Sequence, residues 1–405
     1  GVSYAQDERS GRRDINTTTT DVSSGGLLGA QTVGVAGGAV RLTQTITLDP
    51  GATYYTTTIT VTNVSSATVN DVRFLRSFDP DQDQFRYGNF TTRNDVLSNP
   101  SAGNDLAVAR ALGPNSGVSV NLVSFDGDAR ASNYGFANYN AYAPQAYSSP
   151  VDLNGQLVDQ AITMAFNFGN LGAGQTLTKV FYTSLNGSSQ ANDMLVGGTG
   201  VDVLDSGAGN DFVIGLTGDD QLTGGTGDDQ FVFTRGSGRD VITDFTAGAG
   251  TDDVLEVRGF GFTDLAGIRA VSSQVGADVL INLSATDSVT LRGVQLADLS
   301  ADDFLFDAAP PAAAAMASAG EKGGFEVLPG ADEDDFLVMA KDFGEPATLP
   351  GAMDAGLLLS DEGGPTFGGG SDDLWMLTLL PAVGELDSGE FFAGGSLHPK
   401  DDLWL

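Results

Sequence analysis

The residues best placed to do chemistry are five aspartates at intervals of nine: Asp193, Asp202, Asp211, Asp220 and Asp229. Each stands sixth in a nine-residue unit: SSQANDMLV at 188–196, GGTGVDVLD at 197–205, SGAGNDFVI at 206–214, GLTGDDQLT at 215–223 and GGTGDDQFV at 224–232. After a two-residue insertion, a degenerate sixth unit carries Asp240. A carboxylate is a hard, charged oxygen donor of the kind that suits calcium. Glycines fall at the first, second and fourth positions, among them Gly198, Gly200, Gly207, Gly209, Gly218, Gly225 and Gly227. They permit positive φ in a tight turn and leave room for backbone carbonyls to point at an ion. These aspartates and glycines form the candidate metal site, and Ca2+ is the expected cofactor.

The elements that must position this chemistry follow from the rest of each unit. The eighth position is Leu195, Leu204, Val213, Leu222 and Phe231, so each unit should end in a short strand with one apolar side chain turned inward. A Gly/Asp-rich linker has no reason to keep an apolar residue there. Two units make one coil of a parallel β-roll, and units n and n+2 stack. Calcium then bridges Asp193 with Asp211, Asp202 with Asp220, and Asp211 with Asp229. The first unit has Ser188, Ser189 and Ala191 where glycine is usual, and is expected to be an edge turn with weaker coordination.

The units resemble the G-G-x-G-x-D-x-U-x repeat of RTX (repeats-in-toxin, hemolysin-type calcium-binding) proteins. The flank Asp240-Val241-Ile242-Thr243-Asp244-Phe245, followed by Asp252-Asp253-Val254-Leu255, resembles the closing segment of such rolls. The resemblance implies a bacterial protein exported by a type I apparatus through an uncleaved C-terminal signal, folding outside the cell where calcium is abundant. The roll is placed at 188–245 and its cap at 246–307. Within the cap, Asp278-Val279-Leu280-Ile281 and Asp287-Ser288-Val289-Thr290 are again nine residues apart and read as capping coils. Residues 308–405 form an acidic tail, largely irregular, that repeats an odd motif: Asp302-Asp303-Phe304-Leu305, Asp334-Asp335-Phe336-Leu337, Asp372-Asp373-Leu374-Trp375 and Asp401-Asp402-Leu403-Trp404. The export address is expected either at the chain end or around Asp303-Phe304-Leu305-Phe306.

Composition bounds the function. The 405 residues carry 53 acidic and 19 basic side chains, a formal net charge of −34. Such a chain repels phosphate backbones, so nucleic acid is not an expected partner. There is no cysteine to staple the glycine-rich parts, a role that metal ions could take. The single histidine, His398, lies in the acidic tail, which leaves no credible Ser-His-Asp or Cys-His arrangement and no H-E-x-x-H zinc helix. No catalytic role is expected. No charged stretch followed by an apolar run forms a cleavable leader, and no apolar segment reaches the length of a membrane span.

Ahead of the repeats, residues 1–34 are polar and rich in Thr, Gly and Ser, and read as a flexible leader. Residues 35–187 show period-two alternation, as in Leu42, Gln44, Ile46, Leu48 and again in Ile162, Met164, Phe166, Phe168. With no helix between such strands, this is the pattern of an antiparallel β-sandwich. The expected fold is therefore all-β: a sandwich, a calcium-bound parallel β-roll and the tail. In the sandwich, Asp79, Asp81 and Asp83 could wrap a cation or simply end a strand. Tyr134, Phe136, Tyr139, Tyr142 and Tyr147 could stack on sugars or pin down a loop. The leading reading is a secreted, extracellular calcium-binding protein with a structural, adhesive or surface-binding role toward cell-surface or matrix polysaccharide. The alternative is a polysaccharide-active secreted enzyme, or a carbohydrate-binding component of one.

Overall fold

The structure, a computed structural model, describes residues 15–80, 82–133, 141, 144–152, 155–185, 191–250 and 253–306, with four two-residue strands outside them. Strands β1 (Gln6–Asp7) and β2 (Arg12–Arg13) pair with each other. Then come β3 (Thr17–Asp21), β4 (Leu28–Ala36), β5 (Val40–Leu48), β6 (Tyr54–Asn63), β7 (Val69–Phe78), helix α1 (Gln84–Tyr87), β8 (Thr92–Ser98), β9 (Ala107–Leu112), β10 (Ser119–Ser124), β11 (Ala129–Ser132), β12 (Leu157–Val158), β13 (Ile162–Leu171) and β14 (Thr176–Leu185). They build an antiparallel sandwich: a nine-stranded sheet in the order β12-β8-β9-β10-β14-β6-β5-β4-β3 against a three-stranded sheet, β11-β13-β7. Alternation sets the faces. Ile59 and Val61 are buried against Ile162, Met164, Phe166 and Phe181, while Thr60 and Thr62 point outward and share hydroxyl hydrogen bonds with Thr178 and Thr176, each 2.9 Å.

The expected leader needs correction from residue 17 onward. Thr17–Asp21 and Leu28–Ala36 are strands of the nine-stranded sheet. Their β-branched residues favour the pleat, and Gly34 gives space for Ile15 to pack beneath it.

The repeat forms the strands β15 (Met194–Val196), β16 (Val203–Asp205), β17 (Phe212–Ile214), β18 (Gln221–Thr223), β19 (Gln230–Phe233) and β20 (Arg239–Ile242). Beyond it lie β21 (Val254–Val257), helix α2 (Leu265–Ala270), β22 (Ser272–Val275), β23 (Asp278–Asn282), β24 (Ser288–Leu291) and β25 (Phe304–Phe306). Odd and even units enter different sheets, β15-β17-β19-β21-β25 and β16-β18-β20-β24-β23-β22. Met194 pairs with Phe212 and Val203 with Gln221, both in parallel, so two units make one coil. The eighth-position side chains Val213, Leu222 and Phe231 fill the space between the sheets, together with Ile242, Leu255, Ile281, Val289 and Phe304.

The nine-residue spacing of 278–290 does not continue the coil. β23 and β24 form an antiparallel hairpin, and only β24 returns to run parallel with β20. The glycines of a coil turn are missing between them. Instead the Ser284 hydroxyl binds Asp287 Oδ2 at 2.6 Å and closes a hairpin turn.

Sandwich and roll share one core. Val108, Val123 and Tyr182 of the nine-stranded sheet bury against Met194, Val196, Phe212, Ile214 and Val232. Tyr54 meets Phe212 edge-on at 5.9 Å. Arg258, 2% exposed, reaches across from the roll: it pairs with Glu256, donates to the Phe125 carbonyl at 3.2 Å and approaches Asp105 Oδ2 at 3.4 Å. Among the described residues no helix is long and apolar enough to cross a membrane.

Candidate metal centre

The parallel register brings the repeat aspartates into two ladders. On one edge the amide of Asp193 donates to Asp211 Oδ1 at 2.7 Å, and that of Asp211 to Asp229 Oδ1 at 3.0 Å. On the other, the amide of Asp202 donates to Asp220 Oδ1 and that of Asp220 to Asp240 Oδ1, both at 2.9 Å. The three pairs expected from the spacing are therefore adjacent. Asp193, Asp211, Asp220, Asp229 and Asp240 are all buried, and Oδ2 of Asp211, Asp220 and Asp229 accepts no hydrogen bond. A buried carboxylate oxygen with no donor is costly, and a hard cation would satisfy it. Gly200, Gly209 and Gly218 turn their carbonyl oxygens toward the next stacked coil, at Gly218, Gly227 and Gly238. Among the described residues no cluster of three or more carboxylates or imidazoles gathers at one point. The donors come as aspartates from stacked coils and main-chain oxygens, a set suited to calcium.

Residues 189–242 match the family described as RTX calcium-binding nonapeptide repeat, in overlapping segments 189–222, 196–231 and 206–242. This segment is an RTX repeat array. Part of the chain is 35% identical over 74 residues to the endo-1,3-1,4-beta-glycanase EglC of Rhizobium meliloti (strain 1021), which is 18% of this chain and 15% of that protein. Similar solved structures include extracellular lipase LipA from Serratia marcescens, at 21% identity over 53% of this chain and 30% of that one, with a TM-score of 0.25. Another is the AlgE6R3 subunit of the Azotobacter vinelandii mannuronan C5-epimerase, at 29% identity over 34% of this chain and 91% of that one, with a TM-score of 0.22.

The glycines of the RTX turns divide by task. Second- and fourth-position residues take positive φ: Gly207, Gly209, Gly218, Gly225 and Gly227, joined by Leu216 at φ 71°. Gly198 and Gly200, expected to do the same, are absent from that set. First-position glycines serve another purpose. A Cβ on Gly224 would overlap Oδ2 of Asp229, and one on Gly215 would overlap Oδ2 of Asp220. The first position is thus small to let the carboxylate of its own unit lie over the turn.

Electrostatics of the RTX aspartates point the same way. Burial, opposed by the amide bond each accepts (and at Asp211 by the Ser206 side chain) and reinforced by neighbouring carboxylates, pushes Asp211 and Asp220 up to about 6, Asp229 to about 7 and Asp240 to about 8. A divalent ion would reverse this by favouring the charged form.

Several aspartates of the flank extend the stack in a different manner. Asp253 takes the amides of Asp229 and Thr246, Asp303 those of Gly248 and Ser300, and Asp244 those of Gly224 and Gly225. Asp287 accepts from Gly236, Gly238 and Ser284. Both carboxylate oxygens of each accept hydrogen bonds from the protein. Fifth-position residues form a further rung, with Asn192 Oδ1 accepting from Asn210 and Asn210 Oδ1 from Asp228. These roles escape a reading keyed to the sixth position, although Asn or Asp at the fifth is visible in units one, three, four and five.

The sandwich candidates resolve differently. Asp83 is fully buried and accepts the amides of Asn115 at 2.7 Å and Ser116 at 3.1 Å, closing that loop; Asp81 lies outside the described residues. Tyr147 sits between the guanidinium groups of Arg73 and Arg130, at 5.0 and 5.2 Å, and its hydroxyl donates to the Asp128 carbonyl. It pins its loop. Tyr134, Phe136, Tyr139 and Tyr142 lie outside the described residues, as do the three tail motifs beyond residue 306. The first motif ends the roll: Phe304–Phe306 pairs in parallel with β21.

Proposed function

We propose that this chain is a secreted, extracellular calcium-binding protein whose roll takes up calcium between Asp193 and Asp211, Asp202 and Asp220, Asp211 and Asp229, and Asp220 and Asp240. The observation that carries this is the set of buried, donor-free Oδ2 atoms of Asp211, Asp220 and Asp229, repeated one per nine-residue unit. Carbonyls of Gly198, Gly200, Gly207, Gly209, Gly218, Gly225 and Gly227 complete the donor sets. When bound, calcium supplies charge neutralisation along two rows of carboxylates that otherwise repel one another. Calorimetric titration of the full chain tests it, alongside circular dichroism in chelator. Heat of binding, with β signal gained at calcium concentrations of about 10⁻⁴–10⁻³ M, is expected for an extracellular module. A chain that takes up no calcium overturns the proposal.

Export through a type I channel is part of the same reading. Low cytosolic calcium leaves the rows repelling and the roll open, and calcium outside closes it. The boundaries are a leader that ends before Thr17, a sandwich from there to 187, the roll to 245, a cap to 307 and an acidic tail carrying the address. Secretion of a chain cut after Asp307 would move the address out of the tail.

A glycan-directed reading rests on the stretch 35% identical to the Rhizobium meliloti endo-1,3-1,4-beta-glycanase. The chain spans only 15% of that protein, so binding of a matrix or cell-surface polysaccharide is proposed rather than cleavage. Incubation with β-glucan, scored for retention and for release of reducing ends, separates the two. Release of reducing ends overturns the non-enzymatic assignment.

A further inference from the structure

We infer that the sandwich turn at 49–53 stands in for a coil ahead of the first nonapeptide, and that Thr53 is a positioning residue for Asp193 at the head of one calcium row. The inference rests on the calcium reading above and adds an element to it that lies outside the repeat.

The main-chain geometry is the first support. Within the roll, the parallel bridge between Ala208 and Thr226 is made by the amide of Thr226 to the Gly207 carbonyl at 3.0 Å and that of Gly209 to the Thr226 carbonyl at 2.9 Å. Ala52 and Asn192 form a parallel bridge of the same pattern: the amide of Asn192 to the Gly51 carbonyl at 2.7 Å, and that of Thr53 to the Asn192 carbonyl at 3.0 Å. The sandwich turn is stacked on the first unit as one coil turn is stacked on another.

The side-chain ladder is the second. Oδ1 of Asp211, Asp229 and Asp253 each accepts the amide of the aspartate one coil earlier. Asp193 has no earlier coil, and its Oδ1 accepts the Thr53 hydroxyl at 2.6 Å instead. Among the described residues the other row has no such head. Oδ2 of Asp202 turns back onto the amide of Gly198 in its own unit at 2.6 Å. β16 is the edge of its sheet, and Val201 and Val203 there are 77% and 70% exposed. β15, by contrast, is buried throughout beneath the sandwich.

The turn at 49–53 owes nothing to calcium. Asp49 Oδ1 accepts the amide of Gly51 at 2.8 Å, Pro50 restricts the backbone, and the flanking strands belong to the sandwich. One row is therefore anchored at its leading carboxylate before any ion binds, whereas the sandwich meets the other through Arg110, which donates to the Gly197 carbonyl at 3.2 Å and leaves the Asp202 carboxylate to the roll. Calcium should enter first at Asp193 and Asp211.

Hydrogen exchange read by mass spectrometry on the full chain tests this, in chelator and in calcium. In chelator, amides of Met194–Val196 should exchange at least about tenfold more slowly than those of Val203–Asp205. Thr53→Val, which removes the hydroxyl but keeps the shape, should cost about tenfold of that protection, equivalent to about 1.4 kcal/mol. Thr53→Ser should restore it, and Ile162–Leu171 should be unaffected, which controls for folding of the sandwich. Equal exchange of the two segments in chelator, or an unchanged Thr53→Val chain, overturns the inference. Failure of the calcium reading looks different: no segment of the roll would gain protection when calcium is added.

Discussion

The amide of Asp211 donates to Oδ1 of Asp229 at 3.0 Å, while Oδ2 of the same Asp229 is buried and accepts nothing. One oxygen of this carboxylate thus holds the stack together, and the other is left for an ion. Asp211 is donor in this pair and acceptor in the pair with Asp193, so it belongs to two rungs.

That sharing sets the first expectation. Asp211→Ala should weaken calcium binding more than Asp193→Ala, because it damages two sites rather than one. About a tenfold or greater loss is expected for Asp211→Ala, as removing an acceptor from charge-assisted bonds typically costs about 1.5–3 kcal/mol. Calorimetric titration of both variants decides it, and equal losses would contradict the stacking.

Protons compete for the same oxygens. Asp211, Asp220, Asp229 and Asp240 have folded-state values of about 6, 6, 7 and 8 without metal, against an ordinary 3.8. The folded chain then holds more protons than the unfolded one, so these groups favour folding below about pH 4 and lose that effect as pH rises through about 6 to 8. In chelator, acidification from pH 8 to pH 5 should therefore favour closure of the roll, read as a gain of β signal by circular dichroism. Calcium affinity should fall over the same interval. A calcium affinity independent of pH across that range would contradict the burial of these carboxylates.

Flank aspartates should behave otherwise. Asp303 is fully buried and accepts the amides of Gly248 at 2.9 Å and Ser300 at 2.7 Å. Asp303→Ala leaves both donors unmet and should cost the calcium-closed roll about 1–3 kcal/mol, with the number of bound calcium ions unchanged. Denaturant titration in saturating calcium and calorimetric stoichiometry are the measurements; a smaller number of bound ions would make Asp303 a ligand.

The turn at Gly227 has φ 133°, and a Cβ there would overlap the Gly209 carbonyl oxygen. Gly227→Ala should therefore be strained in backbone and packing together, and should raise the calcium midpoint of folding. Phe231→Ala, in the centre of the roll core, should cost about 3–5 kcal/mol while leaving every carboxylate in place. Comparing the two by circular dichroism against calcium separates damage to the turn from damage to the core.

Much of the roll was legible in the sequence because its determinants are local and periodic. Aspartate at each sixth position and an apolar residue at each eighth dictate the turn, the inward face and the pairing across 18 residues, as Met194 with Phe212 shows. The seventh and ninth positions also held a signal: Met194 and Val196, then Phe212 and Ile214, are apolar, whereas Gln221 and Thr223 are not. Only one sheet of the roll is covered, and the signal is incomplete, since Gln230 is polar in the covered sheet and Val203 apolar in the open one. What covers it, however, is decided by tertiary structure. Thr53 and Asp193 are 140 residues apart and meet because the sandwich turn stacks on the first unit. The hairpin at Asp278–Asn282 and Ser288–Leu291 kept the repeat's spacing but lacked its turn glycines, and hydrogen bonding by Asp287 settled its direction. Local spacing specifies which groups a turn can offer. Which of them face an ion and which face an amide depends on the partners that a distant segment brings, and burial then makes every such pairing obligatory.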